Sequence, residues 1–296
     1  MSTLDVVHET RYAYDARVEK AQHIVHLRPR VTSRQRVEHA VVDIEPQPAY
    51  WSRSHDVFGN ERDAFALYGP HDDLAVTARS RVVLADAVAG DRNDAEAVGW
   101  EDVAARCAYR AGAAFEPACE FVFESPFVPR LAALHAYALP SFPAGRALRT
   151  AAEDLMHRIH ADFTYDGNAT EIHTPLAEVL HQRRGVCQDF AHVMVGALRS
   201  LGLPARYVSG YLLTQPPPGS PRLLGADASH AWAAVWCPRE GWIDFDPTNA
   251  VLPARQSTHV TLAWGRDYGD VMPLRGVIRS GGAHTLRVAV SVVPVG

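Results

Sequence analysis

Arg184-Gly-Val-Cys-Gln-Asp-Phe190 runs directly into Ala191-His-Val-Met-Val-Gly-Ala-Leu-Arg-Ser200, so a glycine and a cysteine immediately precede a long apolar-periodic segment. Phe190, Val193, Met194, Ala197, Leu198 and Leu201 recur at helical spacing, so the segment predicts an amphipathic helix with one buried face. Gly202 and Pro204 stop it, and Gly185 interrupts whatever precedes it. Cys187 therefore stands where a glycine turn becomes a helix N-terminus. The unpaired N–H groups there favour negative charge on a thiol, and they can also hydrogen-bond an oxyanion on an acyl group held at the sulfur. The competing reading is a buried cysteine acting as a small apolar residue. The polar flank Gln188-Asp189 weighs against it.

Two helices are expected before this one. Leu148, Ala151, Ala152, Leu155, Met156 and Ile159 share a face between Arg146 and Phe163, and Thr174-Pro175 opens a shorter helix ending near Arg183. Strands follow at Ala205–Leu213, Ala231–Cys237 and Trp242–Asp246. A Pro- and Gly-rich loop, Thr214–Asp227, separates the first two. Thr285–Val293 closes the chain as a further strand. Helices on an antiparallel sheet give an α+β core over residues 146–296.

The first 90 residues alternate at the two-residue period of strands: Val6, His8, Thr10, Tyr12 and Tyr14, then Gln22–Arg28, Val37–Glu45, Ala64–Tyr68 and Leu74–Leu84. Phe58-Gly59-Asn60 has turn chemistry. Residues 1–90 thus predict an antiparallel β-rich module. Residues 91–145 predict a connecting segment with short helices, one near Pro129–Leu139, behind a polar loop at Gly90-Asp-Arg-Asn-Asp94.

Composition narrows the function. Lys and Arg number 29 against 34 Asp and Glu, a net charge of -5, with no basic footprint for nucleic acid or an anionic membrane. The start, Met1-Ser-Thr-Leu-Asp-Val-Val, has no basic and apolar leader, and no apolar run reaches the roughly 18 residues of a membrane span. The expected location is the cytoplasm. Four cysteines, Cys107, Cys119, Cys187 and Cys237, with no CxxC pair do not make a disulfide framework or zinc site. A metal site on His157 and His160, three apart on a helix, lacks a further ligand, and no loop has calcium-ligand spacing. No metal or cofactor is expected.

His230, in Asp227-Ala-Ser-His-Ala-Trp232, opens a strand. Asp246, in Gly241-Trp-Ile-Asp-Phe-Asp-Pro-Thr-Asn249, ends the next one. Antiparallel pairing would set them side by side, giving a base with an orienting carboxylate beside the thiol. Asp244 lies on the same strand face as Asp246 and is the competing carboxylate; for either aspartate the plain alternative is a turn cap.

Taken together, Gly185-Val-Cys-Gln-Asp-Phe190, Pro204-Ala-Arg-Tyr-Val-Ser-Gly-Tyr211, Ala228-Ser-His-Ala-Trp232 and Gly241-Trp-Ile-Asp-Phe-Asp-Pro-Thr-Asn249 resemble the bacterial transglutaminase-like family of the papain-like cysteine protease superfamily. His8-Glu-Thr-Arg-Tyr12, Leu27-Arg-Pro-Arg30 and Phe58-Gly-Asn60 resemble the β region preceding the core in that family, and Gly265-Arg-Asp-Tyr-Gly-Asp-Val271 with Pro273-Leu-Arg-Gly276 its tail. The resemblance implies a papain-like transglutaminase core. It implies Cys187 as nucleophile, His230 as general base and acid, and Asp246 as orienting carboxylate. It also implies a side-chain oxyanion donor, for which Tyr165 and Gln188 are candidates. Trp232 and Trp242 read as core or site wall, and Asp189 as a structural hydrogen-bond former. The implied function is amide hydrolysis through a thioester on a protein, peptide or other amide substrate. The alternatives are acyl transfer to an amine and a non-catalytic binding scaffold.

Overall fold

The computed structural model describes residues 1–85, 97–112, 114–214 and 229–295. The expected loop at Gly90–Asp94 lies outside these residues, as does the loop after Thr214 together with Asp227 and Ala228.

The N-terminal alternation forms one long strand rather than two: β1 (Ser2–Val25) spans both of the segments that the sequence divides. Its first half pairs with β5 (His71–Leu84), and its second half turns to β4 (Glu61–Leu67) beyond a register shift between Ala13 and Val18. β2 (Gln35–Glu45) and β3 (Tyr50–His55) complete the order β2-β5-β1-β4-β3. A short α1 (Trp100–Cys107) and α2 (Ala132–Ala138) fill the connecting segment.

The core follows the expected helices. α3 (Leu148–Asp162), a two-residue strand β6 (Thr164–Tyr165), α4 (Leu176–Gln182) and β7 (Arg184–Gly185) lead into α5 (Cys187–Ser200). Leu148, Ala151, Ala152, Leu155, Met156 and Ile159 are all buried, packed with α5 against Ala233, Val235 and Phe245. These last belong to the four-stranded antiparallel sheet made of β8 (Ala205–Leu212), β9 (Ser229–Cys237), β10 (Gly241–Phe245) and β11 (His259–Gly265), in the order β10-β9-β8-β11. Because α5 covers one face of the sheet, β8 and β9 are buried almost throughout. Burial on both faces is what turned their sequence from alternation into a continuous apolar run.

Several strands depart from the sequence reading. β3, β11 and a strand at Leu274–Ser280 have no counterpart in it. The closing strand pattern, placed with the core, lies elsewhere: β12 (Leu274–Ser280) and β13 (His284–Val295) both pair with β1 and belong to the N-terminal sheet. Val290 and Val292 are buried there beside Leu4 and Val6, in a core shared with Ala191, Tyr207 and Tyr211 of the helical half. The chain's two ends are therefore stitched together, and apolar burial joins the module to the core.

The outer edge of β11 is closed by side chains. Gln35 Nε2 donates to the carbonyl of Thr261 at 2.8 Å, and its Oε1 accepts from the Thr261 N–H at 2.8 Å. Asn60 does the same to Trp264, at 2.8 and 2.9 Å. Two amides thus stand in for a neighbouring strand at an edge that must otherwise be paired or covered. The turn motif exists to aim one of them: Asp56 caps the N–H groups of Phe58 and Asn60, and Gly59 takes the positive φ of 73° that the turn needs.

Replacing Gln35 with alanine leaves the Thr261 N–H unpaired in a buried seam, while the Thr261 carbonyl keeps the Arg30 N–H at 3.2 Å, at a cost of about 1–3 kcal/mol. Urea unfolding of Gln35→Ala beside the exposed control Gln47→Ala should show that loss for the first and almost none for the second.

Candidate active site

Cys187 is the first residue of α5, as its sequence context requires. The turn before it is fixed by Asp189, whose Oδ2 accepts from the Val186 N–H at 2.8 Å and the Thr170 hydroxyl at 2.6 Å. Burial pushes the Asp189 carboxyl up, against those two bonds, which lower it. Gly185 is glycine because a Cβ would lie 2.4 Å from that same Asp189 oxygen. The glycine, the helix start and the aspartate of the motif therefore form one unit that presents Cys187.

His230 is the second residue of β9, and Asp246 follows β10 directly in a bridge with Val251. His230 Nε2 donates to Asp246 Oδ2 at 2.8 Å. That leaves Nδ1 for the Cys187 thiol, which lies within the imidazole's hydrogen-bonding reach. Burial alone would push His230 down. The hydrogen bonds to Asp246 and Cys187, and the negative charge of each, outweigh it and raise the imidazole to about 10. Asp246 has no exposed surface. Burial would push its carboxyl up, but the bonds from His230 and His259 hold it well below the usual carboxylate range.

Asp246 has more partners than the sequence reading gave it. Oδ2 also accepts from His259 Nε2 at 3.0 Å and Asn249 Nδ2 at 2.7 Å. Oδ1 accepts from the N–H groups of Thr248 and Asn249 at 3.0 and 3.2 Å. His259 was missed because it is one histidine among 15 on a strand with no motif. Asn249 sits inside the quoted Asp-Pro-Thr-Asn run and was legible there as a turn residue. Ligand-type atoms of His230, Asp246 and His259 fall within 4.8 Å of one another. Their contacts of 2.8 and 3.0 Å are shorter than the ~3.3 Å separating two ligands about 2.0 Å from a tetrahedral zinc. Shared protons account for these contacts.

The remaining candidates divide. Tyr165, paired with Gly185 two residues before the thiol, is 58% exposed; burial, then the charge of Cys187, raises its hydroxyl. Tyr207 of β8, which the sequence did not single out, is fully enclosed, and burial followed by the Cys187 charge holds it well above its ordinary value. Gln188 donates its side-chain amide to the Ile172 carbonyl at 3.2 Å, tying a loop to α5. Trp232 is buried behind His230, with ring centroids 6.1 Å apart, and forms a wall. Asp244 makes no bond to His230; its surroundings are Arg206 and Trp232. Of the two competing carboxylates, it is Asp246 that meets the imidazole. His160 of α3 reaches over the site's far side, Nδ1 lying 2.9 Å from the Thr248 carbonyl. His157 takes no part.

A helix-borne thiol facing a strand-borne imidazole and carboxylate places the protein among α+β folds of the papain-like kind. Residues 4–83 match the family model of the bacterial transglutaminase-like N-terminal region, and residues 143–247 that of the transglutaminase-like superfamily. An uncharacterized protein of Mycobacterium tuberculosis is 40% identical over 295 residues, covering 98% of this chain and 92% of the relative. One of Mycobacterium leprae is 32% identical over 296 residues, covering 99% of each. A protein-glutamine gamma-glutamyltransferase of Pseudomonas aeruginosa is 38% identical over 95 residues, 31% of this chain and 14% of that enzyme. The structure of a candidate cysteine protease from Cytophaga hutchinsonii superposes with a TM-score of 0.76 at 16% identity, covering 100% of this chain and 91% of that one, and so shares the fold. The chain belongs to the bacterial transglutaminase-like family.

Gly185→Ala drives the new methyl into Asp189 and frees the Val186 N–H, at a cost of about 1–3 kcal/mol. Thermal unfolding should register that loss, and alkylation of Cys187 should slow with it, whereas Gly167→Ala, with open space around its Cα, should change neither.

Proposed function

We propose that the protein is a cysteine-nucleophile amide hydrolase working through a thioester on Cys187. The observation that carries this reading is His230, buried between the Cys187 thiol and the Asp246 carboxylate and raised to about 10. An imidazole that keeps its proton at neutral pH beside a thiol supports a thiolate–imidazolium pair. In the proposed reaction the Cys187 sulfur attacks the carbonyl of a glutamine side chain or a peptide-like amide, forming the C–S bond. The oxygen takes negative charge and is met by the first N–H groups of α5, with Tyr165 or Tyr207 as side-chain donor. His230 gives its proton to the leaving nitrogen as the C–N bond breaks, then takes one from the water that resolves the thioester. Asp246 orients the ring throughout. No cofactor enters these steps, and the reading keeps the protein in the cytoplasm, acting on protein, peptide or other amide substrates.

Acyl transfer is a second reading, favoured by the similarity of a 95-residue stretch to the Pseudomonas glutamyltransferase. It differs only in the nucleophile that resolves the thioester, so one reaction mixture separates them. With an amide substrate and a primary amine, hydrolysis gives the free acid and transfer gives the new amide, distinguished by mass.

Intact-mass analysis after iodoacetamide treatment near pH 7 tests the common step. A single rapid adduct on Cys187 is expected in the wild type, none there in Cys187→Ala, and labelling slower by about 10²–10⁴-fold in His230→Ala, the span a positioned proton-transfer group contributes. Asp246→Asn should fall between. Equal labelling of wild type and His230→Ala, or adducts confined to Cys107, Cys119 or Cys237, would remove the basis of the proposal.

A further inference from the structure

A cavity of about 580 Å³ lies where the N-terminal module meets the β8–β11 sheet, and the reactive triad does not line it. Its sheet side is built from Arg206, Trp232, Trp242, Asp244 and Trp264, with Phe121 opposite. The Arg206 guanidinium is stacked between two indoles, 3.7 Å from the Trp264 ring centroid and 4.2 Å from that of Trp242. Stacking of this kind fixes a cation without using its N–H groups.

Three polar atoms of this wall are buried without a hydrogen-bond partner among the described residues: Trp232 Nε1, Arg206 Nε and Asp244 Oδ1. Trp232 and Arg206 are 0% and 6% exposed. The Trp232 indole N–H is turned towards the Asp244 carboxyl and lowers it, as the Arg206 charge does, but by distance and angle none of the three atoms completes a hydrogen bond. Buried polar groups are satisfied in the great majority of cases, and an exception next to a cavity points to something that fills it. Here the demand has a definite form, namely two N–H donors seeking an acceptor beside one carboxylate oxygen seeking a donor. A planar amide supplies one oxygen and one or two N–H groups, and indole and phenyl walls suit its flat faces. A carboxylate would leave Asp244 unmet and set two acids together, and an ammonium would leave Trp232 and Arg206 unmet. The volume falls within the range of small-ligand sites.

We propose that this cavity is a binding site for an amide group, either the carboxamide of a small molecule or a peptide bond of an extended segment. Its oxygen is held by Trp232 Nε1 and Arg206, and its N–H by Asp244. The site adjoins the reactive centre, since Trp232 backs His230 and His259, which also lines the cavity, donates to Asp246, but it does not depend on the reading of the chemistry at Cys187.

The test follows the indole N–H resonances of the six tryptophans in ¹⁵N-labelled Cys187→Ala protein, which cannot form a thioester. Two probes are titrated, N-acetylglycinamide and the tripeptide amide acetyl-Gly-Gln-Gly-NH₂, and the Trp232 signal is assigned by its loss in Trp232→Phe. The expected result is a saturable shift of the Trp232 indole signal with at least one probe. Calorimetry on the same protein should give affinities at least tenfold weaker in Arg206→Met and Asp244→Leu. A shift with both probes identifies a small carboxamide as sufficient; a shift with the tripeptide alone identifies a peptide segment. An unmoved Trp232 signal with both probes at 20 mM overturns the proposal, as does binding of unchanged affinity in Trp232→Phe. The second readout needs only a conservative variant, so a misfolded Arg206→Met does not shield the idea.

Discussion

Asp246 is a carboxylate with no exposed surface, and the rest of the site is arranged around the need to keep it satisfied. Leaving one buried charge of a pair uncompensated costs about 3–5 kcal/mol. The chain meets that demand with five donors from three places: His230 on β9, His259 on β11, and the side chain and backbone of the turn at Thr248 and Asn249. Each donor needs its own support. The turn is held from α3 by His160. β11 is held from the N-terminal module by the side-chain amides of Gln35 and Asn60. A module some 200 residues away in sequence thereby helps to place a histidine on the central carboxylate, and this gives its Arg30 and Phe58-Gly-Asn60 motifs a physical reason. Arg30 donates to Asn60 Oδ1 at 2.6 Å and lies 3.6 Å from the Trp264 ring centroid, bracing the same edge.

The electrostatic outcome depends on which effect wins at two adjoining groups. Burial works against charge on both His230 and Asp246. Mutual hydrogen bonding and opposite charge work for it and prevail, raising one and lowering the other. His259 strengthens the carboxylate side of this balance without itself reaching the thiol. On the other side of the imidazole, Cys187 stands at a helix start whose geometry is set by the Gly185–Asp189 contact. Thiol and imidazole are thus presented by two separately rigid units, a helix terminus and a sheet end, packed together through Ala191, Tyr207 and Ala231.

Much of this was legible in the sequence because the signals were local. The helical spacing around Phe190–Leu201, the glycine before Cys187 and the strand–turn carrying Asp246 each encode their own conformation within a few residues. What was illegible depended on distant partners. β11 lacks clean alternation because its inner neighbours and its amide-capped edge bury it unevenly. His259 carries no local mark of its bond to Asp246. β13 alternates as any strand does, so its sequence could not say which sheet it would join; the pairing with β1 is a contact between the chain's ends. The two segments read as separate strands before Arg28 are one, since a bulge between Ala13 and Val18 resets the pairing without ending the strand.

The most direct test of this account is the protonation of His230, followed by NMR of its imidazole from pH 5 to 11 in the wild type and in Asp246→Asn. A buried imidazole held by Asp246 and Cys187 should keep its proton through neutral pH and lose it near 10 in the wild type. In Asp246→Asn its titration should move down by a unit or more, since each unit is about 1.4 kcal/mol of lost preference for the charged form. A wild-type His230 titrating near the ordinary value of about 6.5, or one unmoved by Asp246→Asn, would contradict the claim that this carboxylate governs the site.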